Sequence, residues 1–157
     1  MSCELRKSIR ACALVAAILS PGAHASLIIA PGDLAAVEGN SNNCYPFGCN
    51  PQRYQQLYNA SLFGGTTGVI DEILFRVENS YPSFSTTIDV EFRLSNTSVD
   101  AASMSTTFAS NTGADETLVL DNAAYAISGT GGAGPNPFDI VFDIDDLFTY
   151  DGTSNLL

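Results

Sequence analysis

Apolar residues recur at every second position through several stretches of the chain. From Thr86 to Leu94, the side chains of Ile88, Val90, Phe92 and Leu94 share one side, and Thr87, Asp89, Glu91 and Arg93 the other. Successive side chains of a strand point to opposite faces, so this run predicts a strand with one buried and one wet face. Phe138, Ile140, Phe142 and Ile144 repeat the pattern against Asp139, Val141, Asp143 and Asp145. Val69 to Val77 places Ile73, Phe75 and Val77 opposite Leu74 and Arg76. Shorter strands are expected at Arg53–Tyr58, Thr117–Leu120 and Tyr125–Ser128, with another at Thr106–Ala109. Connectors rich in Gly, Ser, Asn and Thr separate them, and beyond residue 25 no window sustains a helical period for three turns. Short strands at near-regular spacing predict an all-β domain over residues 53–157, an antiparallel β-sandwich of jelly-roll type. Asn155-Leu156-Leu157 has the character of an apolar strand just beginning, which suggests a sandwich cut short at its carboxyl end.

The first 25 residues follow different rules. Arg6, Lys7 and Arg10 precede the apolar run Ala11–Leu19, then Ser20, Pro21 and Gly22, then Ala23-His24-Ala25. A basic start, a short apolar core and a small-x-small triplet make a secretory signal peptide, with cleavage expected before Ser26. The apolar core is too short to cross a bilayer, and no other apolar run reaches the ~18 residues a membrane helix needs. Residues 26–52 read as an irregular segment dense in turn formers. Within it, Cys44 and Cys49 flank the loop CYPFGC, and in an exported chain this spacing predicts a local disulfide. A redox pair usually has two residues between its cysteines. A zinc site would need further ligands that no histidine or other cysteine beyond residue 25 supplies.

Composition narrows the chemistry. The chain of 157 residues is 45% hydrophobic and 15% charged, with a formal charge of -11. One domain with a real core fits these values, and a disordered chain does not. Without residues 1–25 only Arg53, Arg76 and Arg93 remain against sixteen acids, a formal charge of -13. A phosphate backbone needs a basic face, so a nucleic-acid partner is not expected. The single histidine, His24, lies in the leader, and the remainder has no lysine. That removes histidine-based nucleophilic catalysis, histidine-ligated metals, Schiff bases and phosphate-loop lysines. Gly129–Gly134 is glycine-rich, but it lacks a following helix and lysine, so it reads as a loop.

Carboxylates are the chemistry left. Asp71, Glu72, Glu78, Asp89 and Glu91 are the acids available for a glycosidase pair, and nothing sets two of them apart. Asp143, Asp145, Asp146 and Asp151 cluster around the end of a strand and the turn at Gly152. They are the candidate ligands for a weak calcium site, because hard cations take oxygen ligands, although the spacing matches no standard calcium loop. The alternative is a solvated acidic face. Tyr45, Phe47, Tyr54, Tyr58 and Tyr81 are the aromatics available for a sugar platform, with core packing and loop anchoring as the simpler use.

The set of segments PQRYQQLYNASLF (51–63), IDEILFRV (70–77), TIDVEFRLSNTS (87–98), MSTTFASNTGADETLVL (104–120) and GPNPFDIVFDIDDLFTYDGTSNLL (134–157) resembles the ectodomains of exported bacterial proteins with a carboxyl-terminal PEP-CTERM sorting signal, processed by an exosortase. The resemblance implies a secreted or surface-attached β-sandwich associated with extracellular polysaccharide. This sequence departs from that pattern in having no Pro-Glu-Pro motif, apolar anchor or terminal basic cluster. The reading is a non-enzymatic secreted or cell-surface β-sandwich. The alternative is a carbohydrate-binding or calcium-dependent ligand-binding module.

Overall fold

The computed structural model describes residues 26–37, 46–47 and 51–157. The expected leader over 1–25 and the expected Cys44–Cys49 bridge lie outside them. Within them the chain forms six strands: β1 (Gly68–Phe75), β2 (Phe84–Leu94), β3 (Asn96–Thr97), β4 (Thr117–Gly129), β5 (Ile140–Tyr150) and β6 (Asn155–Leu156). Helical structure is confined to four short 3-10 turns among the described residues. The fold is all-β. Every ladder is antiparallel, but the strands form three separate two-stranded sheets, β1–β5, β2–β4 and β3–β6, instead of two broad ones.

The β1–β5 and β2–β4 ribbons share one core, centred on Phe142, which is fully buried. Phe92 of β2 meets its ring edge-on at 4.8 Å between centroids, and Phe75 of β1 does so at 5.9 Å. Tyr125 of β4 stacks on it at 5.2 Å. Perpendicular and offset packing suits the ring quadrupole and interlocks the four strands. Phe47, midway between the two cysteines in sequence, adds a further ring at 5.1 Å from Phe142 and 5.0 Å from Phe75. The inward residues of β2 and β5 are those the alternation predicts, while Thr87, Asp89, Glu91 and Arg93 are exposed.

Bulges account for where the simple alternation stops. Between the pairs Ile70↔Phe148 and Glu72↔Asp143, the four residues Ile144–Leu147 oppose Asp71 alone. Extra residues on one strand bend it and re-aim its side chains. Here the bulge turns Asp145, Asp146 and Leu147 outward and lets both Ile70 and Ile73 reach the core. A second irregularity, between Phe92↔Leu120 and Arg93↔Leu118, buries Val119 and Leu120 side by side. Residues 117–129 are one strand, not two, because the long β2 carries the ladder through the polar stretch Asp121–Ala124. There the Asn122 side chain accepts from the Ala124 amide at 2.8 Å.

Two other expectations fail. Arg53–Tyr58 forms no strand and has only one bridge among the described residues, Tyr58 to Leu156, and Thr106–Ala109 gives way to a 3-10 turn over Phe108–Ser110. In the second, side chains take up backbone groups that a ladder would otherwise use, as where the Thr107 amide donates to Ser105 Oγ at 3.0 Å. Gln55 Nε2 donates to the Phe108 carbonyl at 3.2 Å, and the Asn111 side chain accepts from the Ser105 amide at 2.8 Å and donates to the Ser105 carbonyl at 2.9 Å. The segment Asn155–Leu157 pairs on both sides, with Tyr58 and with the chain at Ser95–Thr97. Tyr58 and Leu156 exchange backbone bonds of 2.7 and 2.9 Å, and Ser95 and Leu157 exchange bonds of 2.9 and 3.0 Å.

Candidate functional site

The four aspartates singled out by the sequence do not converge. Asp143 lies in the ladder opposite Glu72, and its amide donates to the Tyr125 hydroxyl at 2.9 Å. Asp145 and Asp146 sit on the β5 bulge, where with Asp121 they border a shallow pocket of about 100 Å³ floored by Leu118–Leu120. Asp151 belongs to the turn between β5 and β6. Its Oδ1 accepts from the amides of Thr153 and Ser154, both at 2.7 Å, and from the Thr153 hydroxyl at 3.2 Å. Hydrogen bonds from Ser154 first, then Thr153, hold its carboxyl down at about 2. That oxygen caps a turn. No group of three or more His, Cys, Asp or Glu side chains is gathered as a metal site among the described residues.

Of the acids considered for a glycosidase pair, Asp71, Glu72, Glu78 and Glu91 line one groove, described below, and Asp89 does not. Asp71, Glu72 and Asp89 are exposed. Glu91 accepts from Arg93 Nε at 2.6 Å, the one ion pair among the described residues, and both partners are substantially open to water. Such a pair contributes little to stability. The glycine tract is not a phosphate cradle, because its amides already have partners. Thr130 donates to Asp139, Gly131 to Ser83 Oγ at 2.9 Å and Gly134 to Asn79 Oδ1 at 2.8 Å. Gly131 is required by packing, since a Cβ there would lie 2.2 Å from the Tyr81 carbonyl oxygen.

A groove of about 1780 Å³ was not foreseen from the sequence. Its walls are β1, the stretch Arg53–Gln56 and the end of β2, and Ser26–Pro31 lies along it. All three arginines beyond residue 25 line it, together with the carboxylates Asp71, Glu72, Glu78, Glu91 and Glu116. Arg53 stacks on Phe108 with its guanidinium carbon 5.2 Å from the ring centre, and Arg76 stacks on Phe138 at 4.8 Å. Arg76 Nη2 also donates to the Val37 carbonyl. Of the tyrosines, Tyr58 is packed against Phe63, and burial raises its pKa, whereas Tyr54 is about half exposed on the groove wall. Tyr54 donates to Gln56 Oε1 at 3.3 Å.

A polar knot that adjoins the groove through Gln55 was also not foreseen. Asn111 is fully buried, and its side-chain amide donates to Gln55 Oε1 and the Ser105 carbonyl, both at 2.9 Å. Asn96 bonds Asp115 and the Thr149 carbonyl, and Asn155 joins the Ala60 amide to the Val99 carbonyl. Clusters such as SNTS and ASNTG were visible as turn formers. Which carbonyls they would reach depends on residues tens of positions away. Comparison with protein-family profiles, with characterised proteins and with solved structures gives no match.

Proposed function

We propose that this chain is an exported, non-enzymatic β-domain that acts at the cell surface or in the extracellular matrix. Its ribbons are the two layers of a jelly-roll-like sandwich. The observation that supports the reading is the placement of the chemistry-bearing side chains. Beyond residue 25 there is no histidine and no lysine, and the strand-borne acids Asp71, Glu72, Asp89, Asp143 and Asp145 face water. Carboxylates that must work as an acid–base pair are set apart from one another by their surroundings, and these share a common solvated one. No helix among the described residues is long and apolar enough to cross a membrane. The resemblance to PEP-CTERM ectodomains fits the same reading.

The test is fractionation of producing cells with intact-mass measurement. The expected product lies outside the cytoplasm, begins at Ser26 and is two hydrogens lighter than its reduced form. A chain retained inside with residues 1–25 attached overturns the export reading. Glycan hydrolysis that disappears on neutralising one acid overturns the non-enzymatic one. A second reading, carbohydrate binding, is favoured by the half-exposed Tyr54 beside Arg53 and Gln56 on the groove wall, an aromatic face among planar hydrogen-bonding groups. Saturable binding on a glycan array, lost in Tyr54→Ala, would establish it. The array run with and without calcium separates it from cation-dependent binding.

A further inference from the structure

The groove runs along an edge of β1 that has no neighbour. β1 is laddered to β5 alone, and no backbone hydrogen bond joins it to any other segment among the described residues. An unpaired strand edge presents a row of donors and acceptors that the next extended segment can take up. Beside it lies Ser26–Ala30, with the sequence Ser-Leu-Ile-Ile-Ala, a composition suited to a strand. Its backbone is equally unpaired, with no backbone hydrogen bond before that from Leu34 to the Pro31 carbonyl. Leu27 is 62% exposed and Ile28 44%, and Val69 on β1 is 56% exposed. Both segments thus line the groove with backbone groups unpaired among the described residues and with uncovered apolar side chains.

We infer that Ser26–Ala30 is a strap that closes onto the free edge of β1 as a further strand, covering the groove. The anchor for it is in place: Arg76, immediately after β1, donates to the Val37 carbonyl and holds the far end of the 26–37 segment against that strand. Ile29 and Ala30 are already half-buried. Pro31 sets the limit, because without an N–H it cannot continue a ladder. Closure pairs backbone groups on both segments and takes Leu27 or Ile28, on alternate faces, out of water. The inference stands apart from export, since the strap lies within the chain whether or not residues 1–25 are removed.

Amide hydrogen exchange on the purified full chain tests it, read by mass spectrometry over peptides covering 26–30, 69–75 and 117–129. Expected in the wild type is protection of 26–30 at least tenfold beyond an unstructured peptide. In Ile29→Pro, exchange of 69–75 should rise at least tenfold while 117–129 stays unchanged. Should that variant unfold throughout, the double variant Leu27→Asp, Ile28→Asp makes the same comparison at exposed positions, with new charges set beside Asp71 and Glu72. Exchange of wild-type 26–30 at the unstructured rate, or no change in 69–75 in a folded variant, overturns the inference.

Discussion

Two regions of the molecule are built on different physics. Around Phe142 the β1–β5 and β2–β4 ribbons meet through Phe75, Phe92, Tyr125 and Phe47, each ring within about 6 Å of that of Phe142. Around Asn111, the short β3–β6 pair, the stretch before Ala60 and the turns at Ala101–Ser103 and Phe108–Ser110 are held by Asn and Gln side chains that donate to or accept from groups far away in sequence. The first region is specified by pattern and tolerates exchange among groups of similar volume, because burial is non-directional. The second is specified by geometry. A buried amide that loses its partner costs more than the bond it made.

The comparison breaks most sharply at Phe142. Phe142→Ala should destabilise the domain by about 3–5 kcal/mol, since it deletes a fully buried ring against which four other aromatics pack. Asp89→Ser, on the wet face of β2, should stay within about 0.5 kcal/mol. Urea unfolding measures both. Similar losses at the two positions would mean that the inward side of the ribbons is misassigned.

Asn111→Ala should cost about 1–3 kcal/mol, because Gln55 Oε1 and the Ser105 amide and carbonyl, all partly buried, lose the fully buried side chain that bonds them. The loss should be local as well as global. Proteolysis should shift to the 101–111 turns, while exchange of the β2–β4 ladder stays near wild type in proportion to overall stability. A variant as stable as wild type would show that the knot is ornamental and that the apolar region alone sets stability. Leu156→Pro sharpens the same point. It removes the amide that donates to the Tyr58 carbonyl at 2.9 Å, one of the two bonds between them, and replaces a buried core side chain. A cost of at least about 1–2 kcal/mol is expected from the lost bond and the unpaired carbonyl, before the lost burial of the leucine is added.

The same contrast explains which parts were legible in the sequence. Alternation at Ile88–Leu94 and Ile140–Ile144 reports burial directly, so the faces of β2 and β5 came out as read. The bulge at Ile144–Leu147 did not, because the alternation itself continues to Phe148 and Tyr150 on the same parity. Only the pairing with β1 shows that extra residues lie between. The Arg53–Tyr58 stretch has strand composition but no ladder, and its Gln55 side chain instead reaches Phe108 and Asn111, partners that no local pattern announces. Among the candidate site residues, the aspartates were visible as a cluster in sequence. That the β5 bulge and the β5–β6 turn would direct them to different tasks was not.

Asp151 offers the smallest effect and the clearest sign. Its carboxyl is held at about 2 by bonds from Ser154 and Thr153, below the ordinary value of 3.8, so folding favours the charged form. The stabilisation is therefore fully present above about pH 4, declines as the pH falls through the window between the two values, and is gone below about 2. Asp151→Asn keeps an acceptor oxygen but not the charge. Its melting temperature should lie slightly below wild type at neutral pH, with the two curves converging as the pH approaches 2. Taking the difference between the two proteins cancels the titration of the other fifteen acids beyond residue 25, which are common to both. Because the side chain is exposed, the gap should also narrow in high salt, and calcium should act no differently from sodium at matched ionic strength. A gap that does not change with pH would mean that Asp151 caps the turn by shape alone. A calcium-specific stabilisation lost in Asp151→Asn would mean that the turn binds a cation after all.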